Sequence, residues 1–172
     1  MFYVYLTIFA AAIVAVDQWT KALAIAADAA GSLPSKSILG IFHISLLPGG
    51  NKGGMWGLFE GQTWLFILVM VAFLALLVVM VWKKWVTKKF EWVCLAAIAG
   101  GGIGNMIDRI FRGYVVDMFD LQFMDYPIFN LADIFVVVGV ILGAVYYLWF
   151  YDKYDKRSGK EPGDDTAADS HK

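Results

Sequence analysis

Two short polar clusters stand against long apolar runs in the second half of this chain: Gly104-Asn105-Met106-Ile107-Asp108-Arg109 and Phe129-Asn130-Leu131-Ala132-Asp133. Ionisable groups at membrane depth are costly, so carboxylates placed there are expected to do chemistry or transport. A further carboxylate, Asp117 in Gly113-Tyr114-Val115-Val116-Asp117, follows a β-branched pair that favours an extended segment, which projects it back towards the start of the last apolar run. Two carboxylates held together in a low-dielectric setting share a proton, one acting as base and the other as acid. That equipment activates water against a peptide carbonyl without a metal or a nucleophilic side chain. Asp120 and Asp125 are close rivals in sequence, and spacing alone does not choose among Asp117, Asp120 and Asp125 as the partner of Asp133.

The same residues have plainer readings. Asn105, Asp108 and Arg109 are spaced i, i+3, i+4 and share one helical face, where Asp108 and Arg109 read as a neutralised pair holding a loop at the membrane boundary. Asn130 precedes a helix start and is placed to cap it, and Asp133 in the first turn favours the helix dipole. Asp17 and Lys21, i and i+4 with the acid first, read as an ion pair stabilising the outer end of the first span. Asn51-Lys52-Gly53-Gly54-Met55-Trp56-Gly57 offers glycines that let another backbone approach closely, or simply a tight turn.

These groups need elements to hold them, and composition says which. Of 172 residues, 60% are apolar and 17% charged, against about a quarter charged in soluble domains, so the chain is an integral membrane protein. A formal net charge of -1 implies no attraction to nucleic acid. The single cysteine, Cys94, excludes an intrachain disulfide and reads as a small buried hydrophobe; His43 and His171 lie in no ligand-like spacing, so no metal or cofactor is expected.

A span needs about 20 mostly apolar residues. Four stretches qualify: Met1 to Val16 continuing to Ala24, Trp64 to Trp82, Trp92 to Ile107, and Ile134 to Tyr151. The first has no Lys or Arg before its apolar stretch and carries Asp17 where a cleavage region would fall, so it reads as a span and not as a signal peptide. Lys83, Lys84, Lys88 and Lys89 in one loop, with Lys153, Lys156, Arg157 and Lys160 after the last span, place both segments and both termini in the cytoplasm by the positive-inside rule. The outer loops are then about residues 26–63 and 108–132, and the stretch Ile41 to Leu46 predicts a small sheet or hairpin on the outer surface. At ~1.5 Å per residue, Asp17, Asp108 and Asp133 reach a similar depth near the outer leaflet. A proton-coupled transporter or channel subunit is the alternative, but it needs polar groups along the whole path, and the second span is entirely apolar. Residues 152–172 read as a disordered cytoplasmic tail.

In order, Asp17-Gln18-Trp19-Thr20-Lys21, the 51–57 segment, Gly101 to Arg109, Gly113 to Asp117 and Phe129 to Asp133 closely resemble the lipoprotein signal peptidase family, bacterial signal peptidase II, over about residues 1–150. The resemblance implies four transmembrane helices with a small extracytoplasmic β-cradle and a short periplasmic helix, in one protease domain of residues 1–151. It implies an aspartic endopeptidase of the bacterial cytoplasmic (inner) membrane that removes signal peptides from diacylglyceryl-modified prolipoproteins, cutting before the lipidated cysteine. The catalytic pair it implies is Asp117 and Asp133. Asn51, Asn105, Arg109 and Asn130 are implied as substrate- or inhibitor-contacting, and Asp17, Lys21 and Asp108 as supporting; Gly53, Gly57, Gly104 and Ala132 complete that binding or supporting set. The implied partners are the prolipoproteins, membrane lipids and cyclic peptide antibiotics of the globomycin type. Met55 and Trp56 depart from the small or Phe residues usual at those positions.

Overall fold

A computed structural model of the chain describes residues 1–34, 37–38, 40–54, 58–86 and 88–151. Among these residues, four helices are long and apolar enough to cross a membrane: α1 (Phe2–Ala29), α2 (Thr63–Lys83), α3 (Lys89–Phe111) and α4 (Leu131–Tyr146), the last running on through a π-helical turn, Tyr147–Tyr151. α1 contains neither Gly nor Pro to interrupt it, and it stops where Gly31 adopts φ +60°. The close of α2 is similar in kind, with Lys84 left-handed at φ 54°.

α3 is the central helix and packs against α1, α2 and α4. Its glycines make this possible. A Cβ on Gly101 would lie 2.4 Å from the Ala132 carbonyl oxygen of α4, and one on Gly104 would lie 2.6 Å from Asp17 Oδ2 of α1. Two neighbours therefore touch the α3 backbone itself, close to where polar groups must meet. α2 buries no residue and presents Leu68, Val69, Val71 and Val78 outward, as a lipid-facing helix should. Cys94 is buried, as expected of a small core hydrophobe.

The segments joining α1 to α2 and α3 to α4 are sewn together by a two-stranded antiparallel sheet. β1 (Phe42–Ile44) pairs with β2 (Phe119–Leu121) in the register Phe42↔Leu121, His43↔Asp120 and Ile44↔Phe119. Further antiparallel bridges join Asn51 to Val115 and Phe119 to Phe129. The sheet expected around Ile41 to Leu46 is thus present, but its partner strand comes from the segment between α3 and α4 and not from a local hairpin.

Helix ends also differ from the sequence reading. α1 continues to Ala29, beyond the Ala24 expected from sequence, with Asp17 well inside the helix. α3 runs to Phe111, which makes Asp108 and Arg109 helical, and α4 begins at Leu131. Polar side chains interrupt a hydropathy pattern, yet these are satisfied by other helices, so the backbone continues through them. Between the spans, no separate short helix is found among the described residues. Residues 152–172, read from sequence as a tail, lie outside the described residues.

Candidate active site

Asn130 ends an extended segment and opens α4. Its side-chain oxygen accepts the Asp133 N–H at 3.0 Å, and Asp133 Oδ2 accepts the Asn130 N–H at 3.1 Å, a reciprocal cap that fixes both residues. The Asn130 amide is left with two donors. One reaches Asp117 Oδ1 at 2.6 Å and the other Asn105 Oδ1, on α3, at 3.0 Å. Asn105 in turn donates to Asp133 Oδ1 at 2.7 Å.

Asp117 arrives from the other direction. The β-branched pair before it is extended, and Val115 exchanges backbone hydrogen bonds with Asn51 at 2.8 and 2.9 Å. That bridge sets the Asn51 amide, which donates to Asp117 Oδ2 at 2.8 Å. Three amides, from α3, from the α4 cap and from the Asn51 segment, thus hold the two carboxylates. Asp117 is only 2% exposed, and its carboxyl is pushed up to about 6, first by burial and then by the nearby charge of Asp133, against the pull of Asn51, Asn130 and Lys21.

Asp117 and Asp133 both line a cavity of about 260 Å³, together with Asn51, Gly53, Asn105 and Arg109. The Arg109 guanidinium lies 4.5 Å over the Phe66 ring and donates to the Gly53 carbonyl at 3.1 Å. Gly53 has no room for a side chain, since a Cβ would meet the Leu58 carbonyl at 2.9 Å. Apolar wall comes from Phe129, Val136 and Val137.

Beneath this cavity lies a buried charge cluster. Lys21 Nζ is 2.8 Å from both Asp17 Oδ2 and Asp108 Oδ2, with all three side chains fully buried, and it donates to Asn105 Oδ1 at 2.9 Å. Asp17 Oδ1 accepts the Ala132 N–H at 3.0 Å, and Asp108 Oδ2 accepts the Val116 N–H at 3.2 Å. Asp108 therefore does not pair with Arg109. Adjacent residues on a helix point about 100° apart, and the salt bridge forms instead with Arg112, one turn on.

The geometry also separates the rival carboxylates. Asp120 lies on β2 opposite His43, accepts from Gln122 at 2.8 Å, and shares with Asp125 a different hollow of about 500 Å³ that Asp133 does not line. Asp17, Lys21, Asn51, Gly53, Gly104, Asn105, Asp108, Arg109, Asn130 and Ala132 all converge on the two carboxylates or the cluster beneath them. Gly57, with Met55 and Trp56, lies outside the described residues. Gln18 and Arg112 belong to the constellation and were not singled out from sequence. The i, i+4 spacing of Asp108 and Arg112 was the available signal.

Among solved structures, one described as a bacterial membrane enzyme determined by the in meso method at 2.3 Å resolution superposes with a TM-score of 0.72 and 28% identity, covering 93% of this chain and 94% of its own. A second, at 1.9 Å resolution under the same description, gives 0.70 and 29%, covering 85% of this chain and 94% of its own. The fold is that of a multi-span bacterial membrane enzyme. Residues 9–149 match the family described as signal peptidase (SPase) II, and the chain belongs to that family. Its relatives include the lipoprotein signal peptidase of Geobacillus kaustophilus, 39% identical over 144 residues, covering 82% of this chain and 91% of the relative. That of Lactiplantibacillus plantarum is 38% identical over 133 residues, covering 76% and 85%. The protein is an aspartic endopeptidase that removes signal peptides from prolipoproteins, and the transporter reading is not favoured.

Proposed function

We propose that Asp117 and Asp133 are the catalytic pair of this peptidase, acting on a diacylglyceryl-modified prolipoprotein just before its lipidated cysteine. The observation that carries the reading is that two carboxylates from separate elements line one cavity, each held by side-chain amides. Together they hold one proton. The ionised partner takes a proton from water as its oxygen attacks the scissile carbonyl carbon, and the protonated partner gives its proton to the carbonyl oxygen, forming a neutral gem-diol. In the second step the newly protonated carboxyl donates to the leaving nitrogen while the other recovers the gem-diol proton. The C–N bond breaks, and the pair returns to its starting state.

Asn51, Asn105, Arg109 and Asn130 surround the reacting bond as substrate-orienting groups, and Asp17, Lys21 and Asp108 support them. The working unit is residues 1–151, in the bacterial cytoplasmic (inner) membrane with both termini cytoplasmic and the carboxylates near the outer leaflet. The lysines flanking α2 and α3 support that orientation. A cysteine probe replacing Lys88 should label only from the cytoplasmic side. An acyl-anchored cysteine presents its peptide bond at this depth, so membrane lipid lies beside the site, and a globomycin-type cyclic peptide is expected to compete for the cavity.

The deciding experiment is cleavage of a lipidated prolipoprotein by purified protein in detergent. Asp117→Asn and Asp133→Asn should each abolish it while the protein still inserts and folds; Asp120→Asn and Asp125→Asn should keep most of it. Turnover by either catalytic-pair variant, or equal cleavage of an unlipidated precursor, would contradict the reading.

A further inference from the structure

Arg112 is the first residue after α3, and its side chain remains 28% exposed, so it reads at first as a solvated helix end. Its contacts say otherwise. It pairs with Asp108 and donates to Gln18 Oε1 at 3.0 Å. A guanidinium can only donate, so the Gln18 oxygen must face it and the Gln18 nitrogen must face inward. That nitrogen lies 3.2 Å from Asp17 Oδ2, 3.1 Å from Asp108 Oδ1 and 3.1 Å from the Gly104 carbonyl. With Arg112 counted, the cluster holds two carboxylates, Asp17 and Asp108, and two cations, Lys21 and Arg112. Without it, a net negative charge would remain beneath the active site.

The cluster also holds backbone at two points. Asp108 binds the N–H of Val116 and Asp17 binds the N–H of Ala132, each one residue before a carboxylate of the pair. We propose that Arg112 is a positioning residue for the reaction: by balancing the buried charge and fixing Gln18, it sets the placement and proton affinity of Asp117 and Asp133 without touching substrate. This rests on the assignment of those two residues as the catalytic pair. The charged groups facing the pair are Asp17 and Lys21 from α1 and Asp108 and Arg109 from α3, with neutral Asn51, Asn105 and Asn130 between them. Neither cation of the cluster touches the pair: Lys21 reaches it through Asn105, and Arg112 through Asp108 and Gln18.

The test is the pH–rate profile of purified enzyme on lipidated prolipoprotein. Losing a nearby positive charge favours the protonated carboxyls, so Arg112→Gln should move the alkaline limb up by roughly half a pH unit. Misplacement should lower kcat roughly tenfold with KM nearly unchanged. Arg112→Lys, which restores the charge, should return the limb to its original position. An unshifted limb in Arg112→Gln, or a limb in Arg112→Lys as displaced as in Arg112→Gln, overturns the proposal. Should Arg112→Gln not insert, Arg112→His carries the test: it must lose activity as the imidazole loses its charge, and a profile lacking that inflection is equally fatal. Asp117→Asn, assayed alongside, separates the two levels. Turnover there refutes the catalytic pair, whereas an inactive Asp117→Asn with an unshifted Arg112→Gln refutes only the role of Arg112.

Discussion

Asn130 Nδ2 lies 2.6 Å from Asp117 Oδ1, while the oxygen of the same amide accepts the Asp133 N–H at 3.0 Å. One side chain therefore caps α4 and orients the carboxylate facing it. The cap dictates the amide's orientation, because only its oxygen can accept a backbone N–H. With the oxygen committed to the helix, the nitrogen has no choice but to face Asp117 and Asn105. The start of α4 and the placement of Asp117 are set by a single rotamer.

The two duties come apart on substitution. Serine is as good an N-cap as asparagine but has no amide donor to offer Asp117. Asn130→Ser should keep the cap, cost about 1–3 kcal/mol for the buried acceptors left without the amide, and lose roughly a hundredfold in kcat as Asp117 loosens. Thermal midpoint and initial rate, measured on one preparation, check this; matching losses in both would mean that the cap alone matters.

Asp117 makes stability depend on pH. Its carboxyl holds a proton to about 6 in the folded protein against 3.8 for the free side chain. Between those values the folded state binds more protons than the unfolded one, so stability falls as pH rises through that window and levels off above it. A shift of two units corresponds to at most about 3 kcal/mol. The thermal midpoint should decline from about pH 4 to about pH 6 in the parent and decline less in Asp117→Asn. Identical slopes would show that burial of Asp117 costs nothing.

Much of this was legible from local pattern. Asn130 and Asp133 announced a cap, Asp17 and Lys21 an i, i+4 pair, and both are present. What local pattern does not carry is the pairing of segments far apart in sequence. Asp117 is distinguished from Asp120 and Asp125 by Asn51, 66 residues away, through a backbone bridge that no spacing rule foretells. The family resemblance named Asp117 where chemistry alone left three choices. The Asp108–Arg109 pairing failed for a local reason, since neighbours in sequence diverge on a helix. The i, i+4 spacing points to Asp108 as a partner of Arg112, but the second partner, Gln18, sits on another span beyond the reach of any spacing rule.

Close approach at α3 can be tested by adding one methyl group. A Cβ on Gly104 would lie 2.6 Å from Asp17 Oδ2, and Lys21, Gln18 and the Ala132 N–H all hold that carboxylate in place. Gly104→Ala should cost about 1–3 kcal/mol as overpacking. Gly143→Ala is the matched control, because its Cβ would meet only Cys94 Cβ at 3.7 Å, an ordinary contact. There alanine should be neutral or stabilising by up to about 1 kcal/mol through helix propensity. The order of the two thermal midpoints decides the matter, and Gly104→Ala as stable as Gly143→Ala would mean that α1 and α3 are not held at this distance.

Lys21 joins folding to chemistry most directly. It pairs with both Asp17 and Asp108 in full burial, and together with Asn130 it donates to Asn105 Oδ1, which keeps the Asn105 nitrogen turned to Asp133 at 2.7 Å. Lys21→Met leaves buried carboxylates uncompensated and should cost about 3–5 kcal/mol. Adding Asp17→Asn removes one of those charges and leaves Asp108 paired with Arg112, so the double variant should recover much of that loss. Its cleavage rate should not recover. Without Lys21, Asn105 Oδ1 keeps only the Asn130 donor at 3.0 Å, so the amide and the carboxylate it orients are held less firmly. Thermal midpoints with kcat for parent, Lys21→Met, Asp17→Asn and the double variant complete the cycle. A double variant that is both stable and fully active would reduce Lys21 to charge balance alone.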